Sequence, residues 1–203
     1  MKKLSDVLFL SIVVIAFFFA CKSTTVKQGS ISEEAFSANL INAILGSYSE
    51  RAFKKGVVPD DMIETILNCA QKAPSAGNGQ PWHFTVITAN EIARQTAPRH
   101  YVDGATVIVI SGKPNERAGV NIAFDTALAS QNIYLAAQAL GLGTRQYYTG
   151  VQNINDTQKN ILGIPDDYIA QIIMLVGFVA DDVDAVTSAS PRKSFESNVN
   201  YIR

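Results

Sequence analysis

Pro74-Ser75-Ala76-Gly77-Asn78-Gly79-Gln80-Pro81-Trp82-His83-Phe84 joins a glycine-rich turn to an apolar strand through a Pro-Trp corner. Gly77 and Gly79 can take positive φ and leave no Cβ between main chain and ligand, while Pro74 and Pro81 stiffen the loop ends and withhold two N–H groups. Such a loop brings backbone flat against a planar ligand, with Asn78 supplying an amide side chain. Taken alone, the same residues also describe an ordinary helix-to-strand connection. The sequence on either side decides between the two.

Upstream, Phe36, Leu40, Ile44 and Leu45 recur at helical spacing and Gly46 stops the pattern. A second amphipathic helix is expected over Pro59 to Lys72, with Met62, Ile63, Ile66 and Leu67 on its apolar side. Strands are expected at His83 to Thr88, Thr106 to Ser111, Gly143 to Tyr148 and Ala170 to Val179, the last an almost unbroken apolar run suited to a central strand. Pro191 to Ile202 reads as a further short extended segment. Trp82 and Phe84 are expected to anchor their strand in the core.

From Gly119 to Leu140 the pattern is helical, yet apolar or small on almost every face. Such a helix is expected to be buried, either in the core or across a dimer, with Gly141 as its C-terminal stop.

Composition narrows the classes. With 203 residues, 47% of them hydrophobic and 17% charged, the chain can bury one substantial core. A net charge of -1 offers no broad basic field for nucleic acid. His83 and His100 form no ligand cluster, so a zinc site finds no support. Cys69 falls among apolar helical positions and reads as a small buried thiol.

The N-terminus differs in kind. Lys2 and Lys3 precede an apolar run from Val7 to Phe19, which closes on Ala20-Cys21 and a polar tract. This reads as an export signal over residues 1–21, too short to span a bilayer comfortably. Phe18-Phe19-Ala20-Cys21 resembles a bacterial lipobox with bulkier residues than usual, which implies diacylation of Cys21 and a membrane anchor on an exported protein. Residues 22–32 then form a polar tether ahead of a single domain over 33–203.

Pro74, Ser75, Asn78, Gln80, Pro81 and Trp82 together resemble the P-S-x-x-N-x-Q-P-W flavin loop of the nitroreductase family, FMN-dependent homodimeric oxidoreductases. The resemblance extends upstream to Ser49, Arg51, Phe53 and Pro59. Downstream it runs through the helix from Asp125 to Gly143 and on to Arg192-Lys193. It implies an α+β fold, with a mixed, mainly antiparallel sheet flanked by helices, assembled as a homodimer with each FMN between subunits.

By the same resemblance, Ser47, Tyr48, Ser49 and Arg51 belong to the first cofactor-binding motif. Arg51, Arg192 and Lys193 meet the phosphate, whose charge of roughly -1.5 to -2 calls for cations or several donors. Each of these cations alone would pass for a solvated surface charge. Pro74, Ser75, Ala76 and Asn78 are expected along the flavin ring, and Thr149 and Gly150 near its N5 and O4, although the last two equally describe a strand-ending turn.

The family commonly has arginine where this chain has Ser47. Ser47 and Ser49 are expected to offer hydroxyl donors in its place. No Ser-His-Asp order, paired-carboxylate motif, P-loop or GxGxxG is found, consistent with chemistry carried by the cofactor rather than by a side chain.

The expected activity is ping-pong reduction of electron-poor acceptors such as nitroaromatics or quinones, with NADH, NADPH or, for an exported domain, a membrane redox partner as donor. The alternatives are a flavin-binding or redox-partner protein with little turnover, and a flavin-modifying or dehalogenating enzyme.

Overall fold

An eleven-residue strand, Ile169–Val179, is the spine of the domain. The structure is a computed structural model that describes residues 40–97, 99–115, 121–183 and 190–203. The leader with Cys21, the tether and the domain's expected start at residue 33 lie outside the described residues.

Five strands pair among the described residues: β1 (Phe53–Lys54), β2 (Trp82–Ile87), β3 (Thr106–Gly112), β4 (Leu142–Tyr147) and β5, the spine. The pairing order is β1-β5-β3-β2, with β4 also on β5, and every ladder is antiparallel. Phe178 faces both Lys54 and Leu142, whereas Val176 faces Thr106 and Thr144. Strand β1 therefore continues the line of β3 on one side of β5, and β4 occupies the other.

Alternation along β3 and β5 divides the core in two. Val107, Val109, Ile173 and Leu175 face one cluster, which Ala93, Ala97, Ile154, Leu162 and Ile164 complete. Ile108, Ile110, Ile172, Met174 and Val176 face the other, beneath helices α1 (Asp60–Ala70) and α3 (Ile122–Ala139). Helix α2 (Asn90–Thr96) and the helical turn α4 (Val151–Asn153) belong to the first face. Because both faces of β5 are covered, its sequence is apolar with Gln171 as the one polar side chain, as the nearly unbroken apolar run implied.

Helix α1 starts at Pro59, whose missing N–H costs nothing at a helix N-terminus. It buries Ile63, Ile66 and Ala70, with Met62 and Leu67 half-buried beside them. Trp82 and Phe84 pack against the same cluster, as expected. Cys69 is half-buried rather than buried. Helix α3 is capped by Asn121, whose Oδ1 accepts from the Ala123 N–H at 2.9 Å. It ends at Gly141, which takes φ +78.

The cover of α3 is only partial in one chain, and the expectation for the tail needs correction. Helix α3 is not covered all round in one chain, since Phe124 is 70% exposed and Leu128 43%. The segment Pro191 to Ile202 forms no strand; its regular part is one helical turn, α5 (Phe195–Asn198), and every residue from 190 to 203 is exposed. With no strand edge beside it, the tail's apolar residues lack the ladder that would extend them.

Candidate functional site

Ser75 leaves α1's end in extended conformation, and Ala76–Asn78 then form a single 3-10 turn. Positive φ occurs at Gly77 (59°), Asn78 (55°) and Gln80 (44°). Glycine adopts this region freely, but for Asn78 and Gln80 it costs about 1–2 kcal/mol each.

Local hydrogen bonds hold the shape. Ser75 Oγ accepts from the Gln80 N–H at 2.9 Å, and Asn78 Oδ1 accepts from Gln80 Nε2 at 3.3 Å. The loop is fastened to the core from below, where the Ala76 N–H donates to Asp125 Oδ1 at 3.1 Å. Asp125 lies in the first turn of α3, is 5% exposed, and its Oδ2 has no partner. Beside the loop is a cleft of about 450 Å³, lined by Ala76, Gln80, Lys113, Asp125 and Tyr168 among others.

The first motif is built around a residue that sequence reasoning passed over. Glu50 is 1% exposed, and its carboxylate accepts from the Tyr48 hydroxyl (2.8 Å) and the Arg51 and Ala52 N–H groups (2.7 Å each). Its own N–H donates to Thr144 O at 2.9 Å, laying the segment along β4. Gly143 makes room, since a Cβ there would stand 2.7 Å from Glu50 Cγ. Gln138, near the C-terminal end of α3, donates from Nε2 to Tyr48 O at 2.6 Å.

The Ser47 hydroxyl is engaged within its own segment. Its Oγ donates to Ile44 O at 2.8 Å, closing the end of the helical residues 40–45. A hydroxyl has one proton, so Ser47 keeps only acceptor capacity for a ligand. Ser49 is half-buried.

A cationic group lies where β4 meets this motif. Arg145 projects from β4, with its guanidinium 5.5 Å from the Tyr147 ring centre and Nη1 donating to Glu50 O at 3.4 Å. Tyr147 donates from its hydroxyl to Arg99 O at 2.8 Å, and its oxygen stands 2.9 Å from His100 Nδ1. Burial pushes the Tyr147 phenol up to about 12, so it stays neutral.

His100 itself takes φ +63. Its imidazole is held below the usual histidine range by burial first, and then by the charges of Arg145, Arg51 and Arg99. Arg192 and Arg145 both act on the Tyr134 phenol of α3, which burial raises overall. Arg192 and Lys193 are exposed on the tail. Thr149 is exposed and Gly150, at φ +99, opens the helical turn α4, two and three residues beyond Tyr147.

The expected site residues thus fall into two groups. Ser47, Tyr48, Ser49 and Arg51 join β4 and, through it, the cationic group; Pro74, Ser75, Ala76 and Asn78 stand on Asp125. The anchors Asp125 and Gln138 are thirteen residues apart on α3, which at 1.5 Å per residue is about 20 Å. One chain does not bring the two groups together. Glu50, Arg145 and His100 were missed because nothing in their spacing marks them. His100 was weighed only as a metal ligand.

The profile of the nitroreductase family matches residues 44–101 and 95–178 of this chain. A Methanothermobacter thermautotrophicus protein, provisionally named NADH dehydrogenase/NAD(P)H nitroreductase, is 32% identical over 154 residues, 71% of this chain and 79% of its own. An Archaeoglobus fulgidus protein of the same provisional name is 31% identical over 146 residues, 67% of this chain and 83% of its own. Among solved structures, a nitroreductase-type protein from Desulfovibrio desulfuricans in complex with FMN superposes with a TM-score of 0.67 at 25% identity, covering 81% of this chain and 96% of that one.

Proposed function

The chain belongs to the nitroreductase family, and from that premise we propose that it is an FMN-dependent oxidoreductase whose flavin sites are each assembled from two copies of the chain. One observation carries the two-copy reading: the loop group and the motif group sit at opposite ends of α3. A second copy related by a two-fold axis, with α3 packed antiparallel on α3, sets the Asp125 end of one helix beside the Gln138 end of the other. The exposed Phe124 and Leu128 supply an apolar stripe for that packing, and Leu40, Ile41, Ile44 and Leu45 of the neighbouring helical segment add to it.

The residues suit FMN in kind. The strained loop at Gly77 and Asn78 offers backbone unobstructed by side chains, which fits a planar ring. Arg51, Arg145, Arg192 and Lys193 are cations for a phosphate. FMN, when bound, supplies hydride transfer between a nicotinamide or other donor and an electron-poor acceptor such as a nitroaromatic or quinone. The protein's share is to orient and to exclude water. Asp125 holds the loop backbone in place, Glu50 holds the first motif against β4, and the Thr149-Gly150 backbone presents N–H groups at the end of β4.

The leader motivates a further part of the proposal, that Cys21 is lipidated and the domain is exported. A donor other than free nicotinamide then becomes the physiological one. Comparing fatty-acid labelling of wild type and Cys21→Ala in cells tests this, and absence of label would remove the anchor.

The cofactor reading is tested by the absorbance spectrum and sedimentation of the purified protein. Flavin bands at one FMN per chain in a dimer are expected. A colourless protein that fails to take up added FMN would overturn it.

A further inference from the structure

We propose that the cleft between the Pro74–Trp82 loop and the end of β3 is a subsite for an organic nitrogen cation, with Asp125 as its counter-charge. The site stands on its own geometry; only the occupant's role, as electron acceptor, rests on the functional reading above.

Three elements fix the walls of the cleft. Lys113, directly after β3, donates its N–H to Pro81 O at 2.9 Å, which ties the far end of the loop to the sheet. Gly112 lets the first turn of α3 come close, since a Cβ there would stand 3.1 Å from both Ile122 Cβ and Thr126 Cγ2. Asp125 lies in that same turn and holds the near end of the loop through the Ala76 N–H at 3.1 Å. Loop, strand and helix thus frame one opening of about 450 Å³, a size that suits a small organic molecule.

The charge in this opening is unbalanced. Asp125 is 5% exposed; its Oδ1 accepts from a neutral backbone amide, and its Oδ2 is shielded from solvent without a partner. None of the ion pairs among the described residues includes Asp125. Lys113, a cation that lines the cleft, is already engaged by Asp167 at 2.6 Å, two residues before β5. Gln80, on the loop side, directs its side-chain amide to Asn78 at 3.3 Å. A buried carboxylate that meets neither a cation nor water is a costly arrangement unless a positive group completes it.

A nitrogen cation seated in the cleft supplies that group. It acts through an N–H where it reaches the carboxylate, and otherwise through the poorly screened field of a buried charge. An acceptor bearing a carboxylate meets the same field with the wrong sign, and a neutral one is indifferent to it. The cleft therefore sorts ligands of one shape by charge, cation before neutral before anion.

The test uses the full chain, whose single tryptophan, Trp82, adjoins Pro81 in the cleft wall. Its fluorescence is followed during titration with benzamidinium, benzamide and benzoate, planar ligands of nearly one shape and different charge. Benzamidinium is expected to bind about tenfold more tightly than benzamide, with benzoate the weakest. Asp125→Asn keeps an oxygen for the Ala76 N–H and removes the charge, so benzamidinium should lose about tenfold in affinity and benzamide less than about twofold. Equal affinities across the series in wild type, or an undiminished preference for the cation in folded Asp125→Asn, would overturn the site. Should Asp125→Asn fail to fold, the wild-type series decides alone.

Turnover then assigns the role. Wild type is expected to show a KM about tenfold lower for para-nitrobenzylammonium than for para-nitrobenzyl alcohol, a difference that Asp125→Asn erases. Cation-selective binding with equal KM values for the two nitro compounds would overturn the acceptor role. Should the protein reduce neither compound, the functional reading fails, while the fluorescence titration still decides the site.

Discussion

The Pro74–Trp82 loop and the Ser47–Arg51 segment are two halves of one proposed site, yet they are built on opposite logics. The loop is mostly exposed, strained, and fastened by the Ala76 N–H on Asp125 and, at its far end, by Pro81 O, which accepts from the Lys113 N–H. The segment is drawn in around a buried carboxylate with three donors and pinned to both α3 and β4. The difference teaches which features a sequence displays. Backbone requirements demand glycine and proline and so appear as a motif, whereas an inward-facing Glu50 looks in sequence like any surface acid.

If that contrast is right, removing Glu50 has the largest effect. Glu50→Ala leaves buried donors without an acceptor and is expected to cost about 3 kcal/mol or more, with loss of flavin. Denaturant unfolding checks this, and a cost under about 1 kcal/mol would show that the segment holds without its carboxylate.

Asp125→Ala comes next. It strips the loop of its tether to α3 and is expected to cost about 1–2 kcal/mol, weakening flavin retention more than global stability. Flavin fluorescence on dilution separates the two effects, and flavin release no faster than wild type would make the tether irrelevant.

Asn78→Gly sharpens the comparison in the other direction. It relieves a positive φ, so the flavin-free protein should become more stable by up to about 1 kcal/mol while flavin binds less tightly. Loss of stability instead would place the strain elsewhere.

The smallest effect is that of pH through His100. Its folded value is lowered, so as pH falls below the usual histidine range the unfolded chain takes up the proton first. Stability therefore falls on the acid side. His100→Asn should remove that part of the decline, visible as a shallower loss of thermal midpoint between about pH 7 and 5. Identical acid profiles would dissociate His100 from the arginines.

The sheet was legible because its central strand is an almost unbroken apolar run, and α1 because its apolar residues recur at helical spacing. The two-fold nature of α3 was legible only in part. Its apolar residues on every face called for burial, but sequence could not divide core from interface. The structure divides them, turning Ile133 and Ala137 inward and Phe124 and Leu128 outward. The tail misled because Pro191 to Ile202 reads as a short extended segment, while strand formation depends on a neighbouring edge rather than on local sequence. Arg145 was silent for a related reason. Which face of an edge strand a cation occupies depends on the register of β4 with β5, a tertiary fact.

The account's central claim is that the halves meet only across two chains, and mixing defective chains tests it most directly. Gly77→Val would break the loop, because a β-branched residue is strained at φ +59. A second variant carrying Arg51→Ala and Arg145→Gln would break the motif side. Each alone is expected to lose FMN. When the two are unfolded together and refolded, heterodimers combine one intact loop with one intact motif, and FMN binding should return at one site per mixed dimer. If each site were complete within a single chain, mixed dimers would contain no intact site, and no recovery of FMN binding would contradict the account.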